Sequence, residues 1–76
     1  MTPDIMKLLA VGIIGSFGLL GPALAIGLIG FSALTGIARN PEASGPIMTN
    51  MILVTAFAEA IGIYALIIAI ILAMIV

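Results

Sequence analysis

Ile47–Val76, IMTNMILVTAFAEAIGIYALIIAIILAMIV, is thirty residues long and carries a single charge, Glu59. At 1.5 Å of rise per residue, about 20 apolar residues cross the ~30 Å hydrocarbon layer of a bilayer. The stretch is long enough to span a membrane as one helix and to project beyond it. Toward the N-terminus comes a polar cluster, Arg39-Asn40-Pro41-Glu42-Ala43-Ser44-Gly45-Pro46. Before that lies a second apolar run, from about Ile5 to Ala38, whose only charge is Lys7 near its start. Pro41 disfavours helical geometry at Asn40, and Ser44-Gly45-Pro46 offers turn and helix-start chemistry. The sequence therefore predicts helices at about 5–38 and 47–76 and a polar loop at about 39–46, forming one unit over residues 1–76. So short a connector makes the helices antiparallel neighbours, with both termini on one side.

Composition agrees with lipid as the solvent. The chain is 64% hydrophobic and 7% charged, and its mean hydropathy of +1.52 lies far outside the range of soluble domains. Two basic and three acidic residues leave no basic patch for nucleic acid. Without Cys or His, disulfides, thiol chemistry and the commonest zinc ligands are excluded. The chain also lacks Trp and has one Tyr, so no aromatic belt marks the membrane interfaces, a hint that much of the surface meets other protein chains. Lys7 and Arg39 balance each other, so charge alone does not orient the hairpin.

Lys7, the apolar run after it and Ala23-Leu24-Ala25 also look like a secretory signal with a small-residue cleavage site. Against that reading, the apolar run continues past Ala25 to Ala38 without a break. Cleavage would leave one span with an unpaired carboxyl.

The first helix carries Gly12, Gly15, Gly18, Gly21, Gly27, Gly30 and Gly36. At about 100° per residue, Gly12, Ala23, Gly27 and Gly30 share one side, while Gly18, Gly21, Ala25, Ser32 and Gly36 share the roughly opposite side. Small residues let membrane helices approach closely, because packing drives their association. Two opposed stripes suggest a close neighbour on each flank, and a heterologous contact repeated about an axis closes into a ring. Glycine is also simply frequent in membrane helices. Pro22, mid-helix, costs a backbone hydrogen bond but is tolerated in a membrane span.

Glu59 is the sharpest signal. An ionised acid at bilayer depth costs at least about 2.5–3.5 kcal/mol, so a carboxyl surrounded by lipid or protein rests protonated and ionises when offered water or a cation. Such a group is a reversible proton carrier. Its blander role would be a silent hydrogen bond between helices, but intramembrane carboxyls are rare enough to be read as functional. A sodium site would need several oxygen ligands around it. Ala60 offers none, and the nearby hydroxyls on this helix are Thr55 and Tyr64. Tyr64 either donates to the carboxyl or fills space. A proton is the expected ion, with no cofactor and no metal.

Taken in order, the glycine- and alanine-rich first helix (Gly18, Gly21, Ala23, Ala25, Gly27, Gly30), the loop residues Arg39, Asn40 and Pro41, and the single carboxyl of the second helix resemble the c-subunit, or proteolipid, of F-type ATP synthases. The resemblance covers the whole chain. It implies an all-α, two-helix transmembrane antiparallel hairpin assembling into a homo-oligomeric rotor ring, helix 1 inside and helix 2 outside, in contact with membrane lipid. Glu59 matches the family's ion-carrying carboxyl, neutral against lipid and exchanging its proton beside an arginine of the a-subunit. Arg39, Asn40 and Pro41 match the polar loop that meets the stalk subunits gamma and epsilon on the cytoplasmic side. The loop usually reads Arg-Gln-Pro, and Asn40 keeps the amide one methylene shorter. Ala23 and Ala25 dilute the glycine repeat. Sodium-binding relatives carry a glutamine and a hydroxyl residue where this chain has Ile26 and Ala60, which again favours protons. With no transit peptide ahead of the hairpin, a bacterial plasma membrane is the expected location.

Two other function classes compete with the rotor reading. A pore lined by Glu59 would need further polar residues along one helix face, and the second helix has only scattered hydroxyls. A purely structural hairpin would tolerate Glu59→Gln. The chain has no phosphate-cradling loop and no nucleophile–base pair, so it is not expected to be catalytic itself.

Overall fold

The computed structural model describes residues 2–75 as two long helices joined by a tight connector. Helix α1 spans Pro3–Ile13. The Thr2 hydroxyl caps it by accepting from the Ile5 N–H at 3.2 Å, Pro3 occupies a first-turn position and Asp4 lies at the positive end of the helix dipole. Thr2-Pro3-Asp4 thus starts the helix two residues before the expected Ile5. A π-helical turn, Ile14–Gly18, leads without a break into α2, Leu19–Arg39. Together they form one continuous 37-residue helix, Pro3–Arg39.

The wide turn has a local cause. Pro22 has no N–H to give the Gly18 carbonyl, and its ring would clash with that carbonyl in a regular helix. Widening the turn that ends at Gly18 relieves the crowding. The Ser16 hydroxyl donates to the carbonyls of Gly12 at 2.8 Å and Ile13 at 3.2 Å, as hydroxyls do at irregular turns within membranes.

The expected eight-residue loop is much shorter in the structure. The helix stops at Asn40 (φ −142°, ψ 83°), whose N–H still donates to the Gly36 carbonyl at 3.0 Å. Pro41–Ala43 form a single 3₁₀ turn, and α3 runs Ser44–Met74. Ser44, Gly45 and Pro46 lie in the first turn of α3, where no intrahelical N–H donor is required, so proline and glycine there do not delay the helix. The expected end at Val76 lies outside the described residues.

The hairpin is 58 Å long, roughly twice the hydrocarbon thickness, and both helices are long and apolar enough to cross a membrane. Ala23 and Ala25 lie inside α2. Residues facing the partner helix recur at helical spacing: Ile14, Gly18, Pro22, Ile26, Ile29, Ala33 and Gly36 on the first helix, Met51, Thr55, Ala58, Gly62, Ala65 and Ala69 on α3. Mostly small side chains bring the two backbones close. Among the described residues only Ala33, Ala58 and Ala69 are buried, while Leu28 and Phe31 are 68% and 74% exposed. A single hairpin has almost no core; its apolar surface is matched to lipid and to other chains.

The glycine stripes need one correction. Gly18 and Gly36 face the hairpin's own α3: a Cβ on Gly18 would lie 3.2 Å from that of Ala65, and one on Gly36 3.1 Å from the Ile47 side chain. Gly12, Gly15, Gly21, Gly27 and Gly30 meet nothing within 4 Å. Uniform spacing of 100° per residue fails across the π turn, so Gly12 cannot be grouped with Ala23, Gly27 and Gly30 by that rule.

Candidate functional site: a carboxyl in an apolar cleft

Glu59 is the midpoint of α3, fifteen residues from both Ser44 and Met74, or about 22 Å from each end. It lines an open cleft of about 270 Å³ between the helices. The lining consists of Leu19, Pro22, Ala23 and Ile26 from α2 and Glu59, Gly62, Ile63 and Leu66 from α3. Each set is spaced i, i+3, i+4, i+7, the signature of one helix face. Two such faces, brought level by the Asn40 turn, make the site.

Glu59 is the only lining residue with a side-chain oxygen, and no cation lines the cleft. A carboxylate here has no counter-charge and no second ligand. The cleft is open, so the carboxyl can be reached from outside the hairpin.

Ile26 and Ala23 are brought to Glu59, whereas Thr55, Ala60 and Tyr64 are not among the cleft walls. Thr55 faces the hairpin interior, half-buried. Tyr64 is 66% exposed. Among the described residues no hydrogen bond joins either hydroxyl to Glu59. Arg39, Asn40 and Pro41 sit exposed at the tip of the hairpin. Gly21 and Gly27 lie open on α2, Gly30 and Ala25 half-buried. Sequence reasoning does not single out Leu19, Gly62, Ile63 or Leu66; counting i+3, i+4 and i+7 from Glu59 would find the last three.

A second groove, lined by Leu28, Ile29, Ser32, Asn50, Met51 and Val54, lies toward the hairpin tip. Asn50 is nine residues before Glu59, half a revolution round α3. Its amide donates to the Pro46 carbonyl at 2.9 Å, and Thr49 donates to the Gly45 carbonyl at 3.0 Å. These polar groups are turned back onto their own helix and do not extend a wet path from Glu59.

Fold and site together define a class, the two-span membrane hairpin with one carboxyl at mid-depth. Comparison with known proteins makes this specific. The sequence model of the ATP synthase C-subunit family matches residues 9–72. The ATP synthase c-subunit of Dehalococcoides mccartyi is 54% identical over 72 residues, 95% of each chain. Those of Thermotoga maritima and Petrotoga mobilis are 44% and 42% identical, covering 83% and 87% of this chain and 74% and 69% of their own. The chain belongs to the ATP synthase c-subunit family, the proton-translocating rotor subunits of the enzyme's membrane sector.

Proposed function

We propose that Glu59 is the group this rotor subunit protonates and deprotonates as it works. The observation that carries the reading is the cleft: one carboxyl, mid-span, with seven other lining residues that supply no side-chain oxygen or charge. An ionised carboxylate is costly at bilayer depth. At the interface with the a-subunit, water and that partner's arginine favour the carboxylate, so the proton leaves there and another is taken up. Each charge crossing the membrane gains about 2.3 kcal/mol per 100 mV, and a ring of copies sums such steps into rotation.

The remaining assignments belong to the same reading. Copies pack side by side into a ring through the open glycines of the first helix. Arg39, Asn40 and Pro41 contact subunits gamma and epsilon from the cytoplasmic side of a bacterial plasma membrane, the relatives named above being bacterial. Nucleotide chemistry is performed elsewhere in the complex, and the hairpin needs no cofactor. The ion is a proton, because Ile26 and Ala60 supply none of the oxygens that would complete a sodium shell.

Carbodiimide labelling of the assembled complex tests this. Glu59 is expected to be the residue modified, with protection as pH rises and none from sodium at constant pH. Protection by sodium would overturn the ion assignment, and modification elsewhere the site.

A further inference from the structure

Pro22 and Gly62 meet one turn beyond Glu59. A Cβ placed on Gly62 would stand 3.7 and 3.8 Å from Cβ and Cγ of Pro22 and 3.6 Å from Cδ2 of Leu19. Pro22, Leu19 and Gly62 also line the cleft that holds Glu59.

The route by which Pro22 arrives there is unusual. Ile14, Gly18, Pro22 and Ile26 all face α3, a spacing of four residues held for three steps. A regular helix would drift about 40° at each step. The π turn, Ile14–Gly18, absorbs part of that drift, and Pro22 itself is what disfavours a regular turn there. One residue therefore widens the helix and seats its own ring on α3.

We propose that Pro22 is a positioning residue for the proton site: seated on Gly62, it fixes the rotation of α3 about its axis and keeps the Glu59 carboxyl on the cleft flank with a dry wall beside it. The inference rests on Glu59 being the ion-carrying group. Alanine at 22 would restore the donor for Gly18, take Cγ and Cδ away from Gly62 while leaving Cβ, and free α3 to turn. Valine at Gly62 would push the same contact apart.

The test uses the whole ATP synthase in inverted membrane vesicles, with ring assembly checked by gel. It reads the rate of carbodiimide modification at Glu59 and ATP-driven proton pumping. Pro22→Ala is expected to assemble, and to slow both by roughly tenfold, the scale of a small misplacement of a reacting group. Gly62→Val should do the same, and the double variant should recover most of the loss, because the added methyls occupy the vacated space. Wild-type rates in Pro22→Ala, or a double variant no better than the worse single one, would overturn the proposal. If Gly62→Val blocks assembly, the Pro22→Ala arm decides. Glu59→Gln is the control: pumping by that variant would remove the site reading itself, and not merely the role of Pro22.

Discussion

Ile26 of α2 and Glu59 of α3 line one cleft, and Ile26 puts a hydrocarbon wall where a polar side chain would supply a ligand. The pairing is set by the sharp turn at Asn40, which brings these two residues level although 33 positions separate them.

Replacing Ile26 by glutamine and Ala60 by serine together should add side-chain oxygens next to Glu59. Sodium is then expected to slow carbodiimide modification at constant pH in the double variant, while leaving the parent protein unaffected. Equal insensitivity of both proteins would show that these positions do not govern ion choice.

Shortening the acid without removing it gives a second prediction. Glu59→Asp keeps the carboxyl but withdraws it by one methylene toward α3. Proton pumping should persist, reduced by roughly tenfold or more. Full activity would mean that reach is unimportant; complete loss would mean that no adjustment of the ring compensates for it.

The glycines divide by what faces them. Gly18→Ala places a methyl 3.2 Å from the Ala65 Cβ, so the hairpin itself should lose about 1–3 kcal/mol, seen as a lower unfolding midpoint of the detergent-solubilised monomer. Gly27→Ala meets nothing within the hairpin. Its monomer should unfold as the parent does, while its assembled ring should dissociate at a lower temperature. The opposite pattern would misassign the two faces.

The N-terminal cap is separable from transport. Thr2→Ala removes the acceptor for the Ile5 N–H and should cost the first turn about 1 kcal/mol. Hydrogen exchange at residues 4–6 should quicken, with proton pumping unchanged.

Much of this was legible in the sequence. Two long apolar runs and one polar break admit only spanning helices, and Glu59 is conspicuous because nothing near it along α3 is charged. The connector was harder to read. Ser44, Gly45 and Pro46 carry turn chemistry, yet in a first helical turn the same residues cost nothing, so the loop looked longer than it is. The π turn has no signature of its own; it follows from Pro22 together with the demand that Ile14 and Gly18 both face α3. Gly62, Ile63 and Leu66 could be counted off from Glu59 on one helix face. Leu19, Pro22, Ala23 and Ile26 could not be joined to them without the register between helices, which the compact Asn40 turn fixes.

The lone carboxyl also separates the competing functions. A pore would need a wetted face, but Thr49 and Asn50 are bonded to their own helix and the cleft walls are hydrocarbon. A structural pin would need a partner for Glu59, and the cleft supplies none.

The most direct measurement is ATP-driven proton pumping by the intact complex carrying Glu59→Gln, compared with the parent at equal ring content. The amide keeps the size and hydrogen-bonding capacity of the side chain but cannot exchange a proton in this range of pH. The account predicts an assembled ring with no pumping. Pumping at a rate near that of the parent would contradict it.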